Sequence, residues 1–153
     1  MDREKEALVA IARIPGLGPK GLERLRNRFG SYESLWEAPV RELKDLLSQP
    51  LLKSWQEMKK IDPAALGQEL EAKGIEVIAH YEADYPELLR QTAGCPPVLY
   101  CLGNTDYLQL PQIAVVGSRK ATTYGRKVAR RLANQLAVAG LAVTSGMARG
   151  IDS

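Results

Sequence analysis

The sequence predicts an α/β fold in which a parallel sheet is preceded by a small all-α domain. Three observations carry this. To about residue 74 apolar residues recur at helical spacing between glycine and proline breaks, and from residue 75 the period shifts to short β-rich runs. Two of those runs then flank a helix of about fifteen residues that ends at Gly140. Strand, helix, strand is the order of a βαβ unit, which nearly always belongs to a sheet covered on both faces. With 153 residues, 45% hydrophobic and 25% charged, the chain can hold a buried core in one domain or two small ones.

The elements follow in chain order. Leu8, Ile11 and Ala12 begin one helical stripe, and Leu22, Leu25 and Phe29 begin the next. Gly30 reads as a helix stop and Ser31 as a cap, after which Leu43, Leu46 and Leu47 form another stripe. Trp36 and Trp55 are expected to fill this small core. Residues 62–74 read as a further helix, opened by Pro63 and closed by Gly74. IEVIA and VLYCL are the first β-rich runs, separated by the helical stretch DYPELLRQTAG, so the domain boundary is placed near Gly74. IAVVG at 113–117 and LAVTSG after Gly140 are the strands of the βαβ unit. On the helix between them Val128, Leu132 and Leu136 are expected to face the sheet.

Charge is distributed unevenly. Residues 1–74 hold 13 Lys+Arg against 12 Asp+Glu, whereas residues 75–112 carry Arg90 against five acidic side chains. Residues 113–153 reverse the sign with Arg119, Lys120, Arg126, Lys127, Arg130, Arg131 and Arg149 against Asp152, a net +6. A phosphate-bearing partner at this end is the natural inference, set against the plainer reading that four of these residues solvate a helix face. No run of eighteen apolar residues and no secretory signal is present, so a cytoplasmic protein without membrane contact is expected. Cys95 and Cys101, with only His80 nearby, are too few ligands for a zinc site and read as reduced core residues; no metal is expected.

Three motifs carry chemistry. Ile14-Pro15-Gly16-Leu17-Gly18-Pro19-Lys20 lies between two amphipathic helices and reads as a helix-hairpin-helix turn. Its exposed N–H groups make Gly16, Gly18 and Lys20 a secondary candidate DNA contact. Val115-Val116-Gly117-Ser118-Arg119 runs from a strand into a small-residue turn ahead of a helix, where ligands of open α/β sheets sit. Gly117 permits close approach, Ser118 supplies a hydroxyl, Arg119 a planar fork with Lys120 beside it, and Thr122 or Thr123 can cap the helix. The glycine pattern is not G-x-G-x-x-G, only Gly117 and Gly125 being present, eight positions apart, so a dinucleotide cofactor is not expected. Ser145-Gly146-Met147-Ala148-Arg149-Gly150-Ile151-Asp152, at the end of the next strand, forms a second anion cradle, with Asp152 orienting an arginine or capping the following helix.

VVGSRKATTYG followed by SGMARGID resembles the paired signature of the DNA-processing protein A (DprA/Smf) family. GIEVIAHYEADYPELLRQTAGCPPVLYCLGN is similar to that family's lead-in at Tyr85-Pro86, Leu89, Pro97, Leu99-Tyr100 and Gly103-Asn104. The resemblance implies a small helix-hairpin-helix (SAM-like) domain over residues 1–74 and the first part of a Rossmann-like parallel sheet over 75–153, incomplete in this chain. It also implies a protein without catalysis or cofactor that binds single-stranded DNA during natural transformation and loads RecA, as a homodimer whose interface lies further along. By this resemblance Ser118, Arg119, Ser145, Gly146, Arg149 and Gly150 line the phosphate pocket, and Gly117 and Lys120 are added from the turn itself. Two rival readings are a LOG-like phosphoribohydrolase relative, which would carry a triple-glycine second loop instead of SGMARGID, and an interaction domain with residues 1–74 as the partner-binding module.

Overall fold

The computed structural model describes residues 1–153, which form two compact units, Met1–Gly103 and Asn104–Ser153. In the first, α1 (Arg3–Ala12) starts at Asp2, whose carboxylate accepts the Lys5 N–H at 2.7 Å. Ala7 through Ile11 are buried on every side of this helix, a burial wider than the stripe at Leu8, Ile11 and Ala12. A helical stretch buried all round belongs at a centre, and here it is the second half of α1, after the charged residues 3–6. Packed about it are α3 (Tyr32–Glu37), α5 (Gln49–Met58) and α6 (Pro63–Ala72), while α2 (Pro19–Phe29) packs on α3 and α4 (Val40–Leu43) on α5.

Local signals set these helices as expected. Gly30 ends α2 at φ +85°, and the Ser31 hydroxyl caps α3 by accepting the Ser34 N–H at 2.9 Å. Pro63 opens α6 behind the cap Asp62. Trp55 is fully buried, with Trp36 tilted against it at 6.1 Å between ring centroids.

The change of period at residue 75 does not coincide with a change of compact unit. Strand β1 (Ile75–Ala79) pairs antiparallel with β2 (Val98–Leu102), Val77 opposite Tyr100, and Val77, Ala79 and Val98 join the core of the helices. The compact units divide after Gly103, because the apolar side chains of this pair complete the burial of α1 and α6. Its connection, which includes α7 (Glu87–Arg90), is held by polar ties. Glu82 accepts the Ala79 N–H and the Lys5 ammonium, both at 2.7 Å, and the Tyr85 hydroxyl donates to the Pro96 carbonyl at 2.7 Å. Cys95 and Cys101 are free thiols, each half-buried.

In the second unit a 3-10 turn (Thr105–Gln109) leads to β3 (Gln112–Ala114), α8 (Thr123–Val138) and β4 (Ala142–Thr144). The two strands are parallel and in register from Gln112↔Ala142 to Ala114↔Thr144, which is the βαβ order expected. The molecule is thus a mixed one of helices and two small separate sheets. No side chain of α8 is buried. Val128 and Leu132, expected against the sheet, are 45% and 47% exposed, whereas Gly125, Ala129, Ala133 and Leu136 are the partly covered positions. Of the three apolar positions expected against the sheet, Leu136 alone is partly covered. No helix is long and apolar enough to cross a membrane.

Candidate functional site

Because β3 and β4 run parallel and in register, the loops that follow Ala114 and Thr144 leave the same edge of the sheet. The first contains Gly117, Ser118, Arg119 and Lys120; the second contains Ser145, Gly146, Arg149 and Gly150. One further ladder bond, from the Val115 N–H to the Thr144 carbonyl at 2.9 Å, carries the pairing to the start of both loops. The candidate pocket residues of the second unit are therefore brought together at one edge of its sheet.

The loops are joined directly. The Gly117 N–H donates to Asp152 Oδ1 at 3.0 Å, and the Ile151 N–H donates to the Ser118 carbonyl at 3.3 Å. Gly150 makes this approach possible: at φ +108°, a Cβ there would overlap the Ser118 carbonyl oxygen and lie 2.8 Å from Arg119 Cα. Gly117 is equally constrained, since a Cβ would stand 2.8 Å from Ile151 Cβ. Two glycines expected to admit a phosphate thus admit the opposing loop. Asp152, expected to orient an arginine or cap a helix, instead accepts from the first loop's backbone.

The hydroxyls are also committed. Ser145 donates to the Asp152 carbonyl at 2.6 Å and accepts the Met147 N–H at 3.3 Å, and Ser118 accepts the Lys120 N–H at 3.1 Å. These bonds hold the loop shapes and leave the cations as the outward groups: Arg119, Lys120 and Arg149 are exposed. Thr122 caps α8 by accepting the Gly125 N–H at 3.0 Å, which aims the helix's positive end at the same edge. Arg126 is tied back to the Ala121 carbonyl at 3.0 Å.

Beside the loops is a cavity of about 480 Å³ whose walls include Arg126, Lys127, Arg130, Ser145, Ile151 and Asp152. Three helix cations, which the sequence left divided between solvation and binding, therefore border the same space as the second loop. Arg126 and Arg130, four residues apart, share one face of the helix. The other candidate residues, Gly16, Gly18 and Lys20, belong to the first unit. Gly16 turns the chain at φ +84°, Gly18 starts α2 without a side-chain cap, and Lys20 is exposed at the rim of a cavity of about 380 Å³ that also meets Tyr32, His80 and Arg90. No group of three or more His, Cys, Asp or Glu side chains is placed to hold a metal ion.

A βαβ unit with two interlocked, cation-bearing loops at its strand ends, following a helical unit, defines the class. Residues 76–153 match the family described as DNA recombination-mediator protein A, and the chain belongs to that family. It is 30% identical over 157 residues to protein Smf of Synechocystis sp., covering 98% of this chain and 39% of that protein. It is 43% identical over 68 residues to protein Smf of Escherichia coli, covering 44% of this chain and 18% of that one. To DNA processing protein DprA of Bacillus subtilis it is 33% identical over 81 residues, covering 52% and 27%. Its fold is similar to the crystal structure of DNA processing protein A from Streptococcus pneumoniae, with a TM-score of 0.70 at 24% identity over 99% of this chain and 51% of that chain. The chain spans well under half the length of the curated relatives it matches.

Proposed function

We propose that this chain supplies the DNA-contacting part of a DNA-processing protein that binds single-stranded DNA without catalysis, protects incoming DNA and hands it to RecA during natural transformation. The observation that carries this reading is the pair of interlocked loops at one edge of β3 and β4, within a segment of net charge +6. In this reading the βαβ unit is the start of a Rossmann-like sheet, the Gly16–Gly18 turn is a helix-hairpin-helix contact of lesser weight, and the protein acts in the cytoplasm as a homodimer.

The mechanism is electrostatic. Arg119, Lys120 and Arg149 meet successive phosphates from the loop edge, and the α8 N-terminus adds a fixed partial charge. Each phosphate neutralised releases condensed counterions, so affinity falls as salt rises, and little sequence is read. Titration of a labelled single-stranded oligonucleotide with the purified protein at several salt concentrations tests this. Affinity that falls steeply with salt and is weaker for duplex of equal length is expected; salt-independent or absent binding refutes it.

A further inference from the structure

The same edge that presents the cations also presents large apolar side chains. Tyr124, in the first turn of α8, is 78% exposed, and Met147, in the middle of the second loop, is 86% exposed. Met147 is also the sole non-glycine residue with a positive φ, at 52°. A side chain there is held in the left-handed region at a conformational cost that glycine would not incur, and such strain marks positions whose side chain is used. Gly146 precedes it and Gly150 closes the loop, so a glycine-rich segment places its one long apolar side chain outward.

The surroundings specify the partner. An apolar protein interface is rimmed by free charges of both signs, whereas the exposed charges near in sequence to Tyr124 of α8 and Met147 of the second loop, Arg119, Lys120 and Arg149 among them, are basic, the one acid, Asp152, being bonded to the Gly117 N–H. A polyanion that also carries flat apolar faces fits both features, and unpaired nucleobases supply those faces. In a duplex the faces are stacked on one another and are not available. We propose that Tyr124 and Met147 form the base-contacting platform of this edge, stacking on unpaired bases while the neighbouring cations take the phosphates, and that they set its preference for single strands. This rests on the DNA-binding reading given above.

The experiment compares three probes of equal length at one salt concentration: oligo-dT, the same backbone made abasic, and a duplex. Wild-type protein should favour oligo-dT over the abasic strand by about tenfold, the scale of one stacked base. Tyr124→Ala and Met147→Ala should each remove much of that preference and leave affinity for the abasic strand unchanged, whereas Tyr124→Phe and Tyr124→Trp keep it. Both side chains are exposed, so the variants should fold, and circular dichroism checks this. Equal wild-type affinity for dT and abasic strands, or equal losses on both in Tyr124→Ala, overturns the platform while leaving phosphate binding intact. Loss of self-association with DNA affinity unchanged overturns it in favour of a protein interface. Failure of wild type to bind any probe refutes the DNA-binding reading itself, and the platform with it.

Discussion

The backbone N–H of Gly117 donates to the carboxylate of Asp152 at 3.0 Å, thirty-five residues along the chain. A negative charge therefore already occupies a donor in the turn expected to cradle a phosphate. The bond locks the two strand-end loops together, and it places the segment's single acidic side chain among its cations.

Asp152→Asn keeps an oxygen for Gly117 and removes the charge. The fold should be retained, and affinity for a single-stranded oligonucleotide at low salt should rise about two- to threefold, as expected when a like charge near a phosphate contributes under about 1 kcal/mol in water. A tenfold fall would mean that the carboxylate orders donors which DNA requires.

Gly150→Ala should disrupt the loops, because the added Cβ meets Ser118 and Arg119 backbone at a φ of +108°. Gly140→Ala is the control, with φ +82° and nothing within reach of its Cβ. Backbone strain alone costs about 1 to 3 kcal/mol. Gly150→Ala should exceed Gly140→Ala in lost thermal stability and should alone lose DNA affinity, and equal effects would show that loop closure is unimportant.

Arg119→Ala should weaken binding more than Arg126→Ala, Lys127→Ala, Arg130→Ala or Arg131→Ala. The turn around Arg119 is braced by Gly150 and by the Lys120 N–H on Ser118 Oγ, whereas Arg126 is tied to the Ala121 carbonyl. A held charge-assisted contact is worth about 1.5 to 3 kcal/mol and a rim charge under about 1. Arg119→Lys should not restore affinity, since an ammonium lacks the planar fork. Equal losses at all five positions would point to diffuse binding by the whole basic face and, with the cavity walls at Arg126, Lys127 and Arg130, to the helix as the principal surface.

His80 is held below its ordinary value of 6.5, chiefly by burial, with the positive charges of Arg26 and Arg90 adding to the effect; its N–H bond to Pro97 and the charge of Glu23 oppose it. Its ring stands against Tyr32 at 6.0 Å and Tyr81 at 5.5 Å. The unfolded chain takes up the proton first, so this contribution to stability is intact above pH 6.5 and is lost as pH falls through the folded value. Melting temperature should drop across that window, and His80→Asn should flatten the drop. An unchanged slope in the variant would assign the effect to carboxylates.

A piece ending at Gly103 should unfold in one cooperative step, whereas a piece ending at Gly74 should be poorly folded. The shorter piece loses Val77, Ala79 and Val98 from its core, and the two valines alone represent about 3 kcal/mol of burial. Residues 1–103 should also bind single-stranded DNA weakly, since the positive segment lies beyond them. Tight, salt-sensitive binding by that piece would make the hairpin at Gly16–Gly18 a principal contact.

The sequence by itself determined the features that act over a few residues. Pro63 starts a helix through its fixed φ, Gly30, Ser31 and Thr122 stop or start helices through bonds to their own neighbours, and the order of β3, α8 and β4 follows from local periodicity. Those bonds need no distant partner, so their signals survive in a linear reading. Tertiary structure decided which surfaces the apolar runs would cover. IEVIA and VLYCL are compatible with any buried strand, and only the unfilled flank of α1 and α6 made them an antiparallel pair within the helical unit. The loops divide along the same line. GSR and SGMARGID were legible as neighbours at strand ends, but that Gly117 and Gly150 admit a facing backbone, and that Asp152 takes the Gly117 N–H, depends on contacts across some thirty residues of intervening chain. Close packing between distant segments is a property of their joint geometry, and no residue encodes it alone.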